Sequence, residues 1–110
     1  MGDPIPNLVS ELRGGTFVLV VLGRLEDEQY GYALSQQLAE KGMDVDQGTL
    51  YPLLRRLEKQ GFLESRWSVE GSQPRRYYKL SREGREALRV LREEWHTLSA
   101  AINRLTRKDS

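Results

Sequence analysis

A mainly helical chain carrying one small β-hairpin is the fold class that these 110 residues predict. Three observations predict it. Before residue 60, apolar residues recur at helical spacing in three separate stretches. From Phe62 the pattern turns to alternation, in FLESRWSV and again in RRYYKL. From Ser81 helical spacing returns and persists for about 25 residues, longer than the usual helix of a globular domain.

Taken in order, residues 1–7 hold two prolines and a glycine and are expected to be a disordered lead-in. Asn7 is the expected N-cap of a helix that uses Leu8 and Leu12 and runs on through Thr16–Leu25. Gly14 and Gly15 each cost about 1 kcal/mol inside a helix, so a kink or break is expected there. The run TFVLVVL (16–22) is rich in β-branched residues and also suits a buried strand. Helix is favoured because no matching strand lies nearby. Glu26, Asp27 and Glu28 form a polar connection to a second helix, Tyr30–Lys41, whose Tyr30, Leu34 and Leu38 share a face. Gly42 and Gly61 stand where helices commonly end in a left-handed residue. The turn MDVD (43–46) leads into a third helix. Leu63, Ser65, Trp67 and Val69 then alternate against Glu64, Arg66 and Ser68, and the loop EGSQP (70–74) joins this strand to the next. Ser81 caps the last helix, with Glu83 near its positive end. The expected division is a helix-turn-helix domain with a hairpin over 8–81, a long helix over 82–107, and a tail over 108–110.

Composition narrows the chemistry. The chain has no cysteine and a single histidine, His96, which excludes disulfides, thiolate chemistry and a histidine triad or cluster within one chain. There is no glycine-rich phosphate loop and no nucleophile beside a base, so an enzyme is not expected, nor a cofactor or a metal. The longest apolar run is too short for a membrane span and the start lacks a secretory pattern, so a cytoplasmic protein is expected. Net charge is +1, yet residues 1–46 sum to −5 and residues 47–82 to +5. A basic excess confined to one segment points to a local anionic partner.

That segment contains GTLYPLLRRLEKQGFL (48–63). With Leu50, Leu54 and Leu57 facing inward, Gly48, Pro52, Arg55 and Lys59 fall on the outer face. Tyr51 lies at one edge, Thr49 and Arg56 at the other. Arginine and lysine on such a face reach phosphate or guanine, and a tyrosine hydroxyl can bond phosphate. The hairpin adds Arg75, Arg76 and Lys79, with Ser72 and Gln73 at its tip. Helix, tight turn, helix and hairpin in this order describe a winged helix reading double-stranded DNA. A protein-interaction winged helix is the alternative, distinguished by a weak dependence of binding on salt. Pro52 reads two ways. Behind an Asp46 cap it would remove one backbone bond from the helix interior, whereas in a helix starting near Thr49 it would fall harmlessly in the first turn. An irregular or 3₁₀ opening turn around Gln47–Tyr51 is therefore expected, with N–H groups facing outward; a role for Pro52 stays open.

GYALSQQL, GTLYPLLRRLEKQGFL, PRRYYKLSREGREAL and the later EEW together resemble the PadR-like transcriptional regulators, over nearly everything from Gly14 to Leu105. The resemblance implies a bacterial or archaeal winged-helix repressor, homodimeric through its N- and C-terminal helices, with small aromatic effectors known for several members. Residues matching the DNA-facing pattern are Tyr32, Thr49, Tyr51, Arg55, Arg56, Arg75, Arg76 and Tyr77; Lys59 and Gln73 join them from the reading of the helix and hairpin. The chain stops soon after one long helix, so the larger C-terminal effector region of some members is expected to be absent.

In that long helix, Leu88, Leu91, Trp95, Leu98, Ile102 and Leu105 are spaced alternately three and four apart, an unbroken heptad seam. A winged-helix core is too small to cover all of it, so a homodimer interface built from these residues, with Leu8 and Leu12, is expected. Trp95 reads first as interface core and second as a platform for a flat aromatic ligand.

Overall fold

The structure is a computed structural model and describes residues 4–107. The chain folds as α1 (Ile5–Gly14), α2 (Thr16–Arg24), β1 (Gln29–Tyr30), α3 (Gly31–Glu40), α4 (Gln47–Lys59), β2 (Leu63–Glu70), β3 (Gln73–Leu80) and α5 (Arg82–Thr106). Its core gathers Val21, Leu22 and Leu25 from α2 and its end, Leu34 and Leu38 from α3, and Leu50, Leu54 and Leu57 from α4. Val45 of the turn before α4, Leu63, Tyr78 and Leu80 of the hairpin, and Leu88 of α5 complete it.

The helical start differs from the expected one. α1 begins at Ile5 with Pro4 as its cap residue, so Asn7 lies inside the helix rather than capping it. The expected lead-in is thereby shortened, and residues 1–3 lie outside the described residues. Proline explains this: its fixed φ suits the first helical turn, and Pro6 stands where a backbone N–H has no helical partner. The Gly14–Gly15 break is present, with α1 and α2 bent by 48°. The TFVLVVL run is helix; Val21 and Leu22 are buried and Phe17, Val18, Leu19 and Val20 pack partly against the core. No single helix among the described residues is long and apolar enough to cross a membrane.

α3 and α4 end alike. Gly42 and Gly61 have φ of 87° and 90°. Met43 N–H donates to the Leu38 carbonyl at 2.8 Å, and Phe62 N–H to the Leu57 carbonyl at 2.9 Å. These bonds reverse the chain so sharply that α4 crosses α3 after a short turn, and β2 starts directly behind α4.

The sheet has three strands, in the order β1-β3-β2. β1 pairs Gln29 with Tyr78 and Tyr30 with Tyr77, a strand the expected two-stranded hairpin lacked. The hairpin turn is also tighter than the five-residue loop expected. Gln73 pairs with Glu70, leaving Gly71 and Ser72 as the loop. Gly71 has φ of 74°, which a two-residue hairpin turn requires at its first position. Pro74 therefore sits in β3 opposite Val69, in the part of the strand that β1 does not reach.

Ser81 caps α5 by accepting from Gly84 N–H at 3.0 Å, and its own hydroxyl donates to the Gly61 carbonyl at 2.5 Å. The cap thus also fastens α5 to the end of α4. Further along, Arg92 donates to Glu26 at 2.8 Å. Leu88, expected in an intermolecular seam, is instead 3% exposed inside its own domain, and Leu91 packs partly against the same core. The apolar row beyond them remains on the surface: Trp95 is 43% exposed, Leu98 53% and Leu105 84%.

Candidate nucleic-acid interface

α4 opens as a regular helix at Gln47. Asp46 caps it, its carboxylate accepting from Thr49 N–H at 2.8 Å. Of the expected 3₁₀ opening only one bond is present, Thr49 N–H to the Asp46 carbonyl at 3.1 Å, and the Thr49 N–H is taken inside the chain rather than presented outward. Pro52 lies inside this helix and withholds a single bond, to the Gly48 carbonyl, on the exposed side. A proline there costs about 3 kcal/mol against about 1 kcal/mol from the cap, so burial of Leu50, Leu54 and Leu57 in the core is what holds the helix through it. Gly48 leaves room for the cap, since a Cβ there would lie 3.1 Å from the Asp46 carboxylate oxygen.

Around this helix the expected residues separate. Arg55 and Lys59 are exposed on the outer face, and no ion pair among the described residues involves them. Thr49, Pro52, Leu53 and Arg56 border a cleft of about 280 Å³ whose other wall is Gly14, Phe17 and Val18 at the α1–α2 bend. On the opposite edge, the Tyr51 ring lies against the start of α3. A Cβ on Gly31 would fall 2.8 Å from it, so glycine is what lets the ring approach. Next to this contact Tyr32 is 49% exposed, and Gln36 donates to its hydroxyl oxygen at 2.9 Å, leaving the hydroxyl proton to donate outward.

The two faces of the wing are used differently. On the outer face Arg75 stacks over Tyr30 at 4.6 Å and Arg66 over Tyr77 at 4.9 Å, with the Tyr30 and Tyr77 rings 5.6 Å apart. Glu28 pairs with Arg66 at 2.6 Å, and the guanidinium holds its carboxyl below the usual carboxylate range. Tyr77, on the same outer face, is half-buried beneath Arg66. Arg75 and Gln73 are exposed. On the inner face Arg76 turns toward α4 and pairs with Glu58 at 2.8 Å. Arg75 and Arg76 thus point to opposite faces of β3, as alternation along a strand requires.

Sequence reasoning passed over Glu58, Ser65, Arg66 and Gly31. A signal existed for Glu58, the lone acidic residue of α4. Ser65 and Gly31 gave none, because their roles appear only once strands and helices are brought together.

A helix-turn-helix whose second helix shows a cationic outer face beside a two-stranded wing is the winged-helix arrangement of DNA-directed regulators. Residues 18–90 match the family model described as the transcriptional regulator PadR-like family. A PadR-family transcriptional regulator from Eggerthella lenta DSM 2243 superimposes with a TM-score of 0.90 at 44% identity, covering 96% of this chain and 94% of that one. A PadR-like transcriptional regulator from Bacillus cereus strain ATCC 14579 does so with 0.81 at 29% identity, covering 91% and 100%. The transcriptional regulator Rv3488 of Mycobacterium tuberculosis is 43% identical over 63 residues, which span 57% of this chain and 59% of that protein. The chain belongs to the PadR-like family of transcriptional regulators.

Proposed function

We propose that the protein binds a palindromic DNA operator as a homodimer in the cytoplasm and represses transcription there. The observation that carries the reading is the outer face of α4, where Arg55 and Lys59 stand exposed beside the wing with no acidic partner among the described residues. α4 enters the major groove with Arg55 and Lys59 toward base edges or phosphates. Arg56 and Thr49 serve from the cleft edge, and Tyr51 of α4 and Tyr32 of α3 reach phosphate from the place where the two helices meet. Gln73 and Arg75 meet the neighbouring backbone; Arg75, held over the Tyr30 ring, brings its N–H groups to it.

Surface left uncovered supports the dimer. Ile5, Leu8, Val9 and Leu12 on α1, and Trp95, Leu98, Ile102 and Leu105 on α5, are all exposed in the single chain. Apolar rows of this extent need a partner, and a second copy supplies both. Trp95 lies within that interface, where a small aromatic effector stacking on it would lower DNA affinity by favouring the free dimer.

The test is the double replacement Arg55→Ala and Lys59→Ala. Both residues are exposed, so stability should stay within about 0.5 kcal/mol of the original, as read from the thermal midpoint. Each lost phosphate contact should lower the slope of log affinity against log salt by about one, and each lost base contact should relax sequence choice by about 1–3 kcal/mol. Undiminished, equally selective binding would remove α4 as the reader.

A further inference from the structure

Glu58, Arg76 and Ser65 form a closed ring between the last turn of α4 and the middle of the wing. Arg76 Nη2 donates to Glu58 Oε1 at 2.8 Å, Arg76 Nε donates to Ser65 Oγ at 3.0 Å, and the Ser65 hydroxyl donates to Glu58 Oε2. Both strands are therefore tied to the helix through one carboxylate. Two rings flank the guanidinium, with the Trp67 and Tyr78 centroids each 5.6 Å away. The charged side chains are 35% and 26% exposed, which screens the pair less than a surface contact.

The place of this ring matters more than its strength. β1 pairs with β3 only at Tyr77 and Tyr78. Beyond the ring the inner face carries Val69, 75% exposed, and the turn at Gly71 comes four residue steps after Trp67. At ~3.3 Å per residue, the tip stands about 13 Å further out. A small rotation at the ring becomes a displacement of Gln73 relative to Arg55 and Lys59. Glu58 is also the one acidic residue in Gln47–Lys59. An anion there opposes phosphate and weakens DNA binding unless it serves another end.

We infer that Glu58 is a positioning residue: through Arg76 and Ser65 it fixes the angle between the reading helix and the wing, and so sets sequence selectivity rather than raw affinity. This rests on the DNA-binding reading above. Arg76 then acts within the chain and contributes no phosphate contact.

The experiment compares Glu58→Gln, Arg76→Gln and the double variant. Each is assayed on the sequence that the unmodified protein selects from random DNA and on random-sequence DNA, across a salt series. Glu58→Gln keeps the shape and one acceptor, and circular dichroism reports whether each variant is folded. Glu58→Gln should lower the ratio of selected to random affinity about tenfold, the scale of one charge-assisted hydrogen bond. Its affinity for random DNA should hold or rise, and its salt slope should not fall. Arg76→Gln should lose the same selectivity with no fall in slope, and the double variant should be no worse than either single one. Three outcomes overturn the inference: unchanged selectivity in Glu58→Gln, equal tightening on both DNAs, or additive losses with a slope reduced by one in Arg76→Gln. If the unmodified protein selects no sequence at all, the DNA-binding reading fails first and this one with it.

Discussion

Replacing Leu98 and Ile102 with glutamate is expected to give a folded monomer that has lost most of its operator binding. Leu98 is 53% exposed and Ile102 39% exposed in the single chain, so neither replacement disturbs the chain's own core. In a symmetric dimer each charge would occur twice in an apolar seam, and an unpaired buried charge costs several kcal/mol. Leu88 and Leu91 are poorer choices because they pack within their own domain. The two readers of a dimer act at high effective concentration, and uncoupling them should weaken operator binding by about a hundredfold to ten-thousandfold. Binding to random DNA per chain should change far less, because α4 and the wing are untouched. Sedimentation together with a binding titration checks both halves. A variant that stays dimeric, or a monomer that binds the operator as tightly as before, would break the case for a dimer on α1 and α5.

The second large effect concerns Gly84, which sits in the first turn of α5 where alanine ordinarily stabilises a helix by about 1 kcal/mol. Here the sign should reverse. A Cβ at Gly84 would lie 2.0 Å from the Phe62 carbonyl oxygen, which already accepts from Ser81 N–H at 3.1 Å. The obstacle is backbone, so α5 must move away from the α4–β2 connection, straining the Ser81 cap and the packing of Leu88. Overpacking of this kind costs about 1–3 kcal/mol and a cap about 1 kcal/mol. Gly84→Ala should therefore lose about 1–3 kcal/mol net, and its midpoint should fall by roughly 5–20 °C at matched protein concentration. A midpoint equal to or above that of the unmodified protein would show that α5 does not approach Phe62 so closely.

These residues also show what a sequence can and cannot display. Periodicity is a local property, and wherever it decided an element the element is present: Leu50, Leu54 and Leu57 face the core, and Gly42 and Gly61 end their helices as expected. β1 is two residues long and exists because Tyr30 and Gln29 meet β3, so no local pattern could display it. The helical state of Ile5–Asn7 is hidden because proline signals both an irregular segment and a helix start, and only the residues after it decide between them. The site divides in the same way. Arg55 and Lys59 are legible from the helical wheel of α4. Arg76 is visible as a charge, but its partner Glu58 is eighteen residues away and meets it only when the wing folds back. Gly84 is silent in the sequence for the same reason, since its neighbour Phe62 lies in the α4–β2 connection, far from it along the chain.

A two-fold dimer reading DNA through α4 and the wing is the central claim. The most direct measurement is selection from a random DNA library by the unmodified full chain, with the affinity of the selected sequence then taken across a salt series. Such a dimer should select an inverted repeat whose half-sites lie one helical turn apart, about 34 Å, and its affinity should fall steeply as salt rises. No enrichment, or binding indifferent to salt, would contradict the claim.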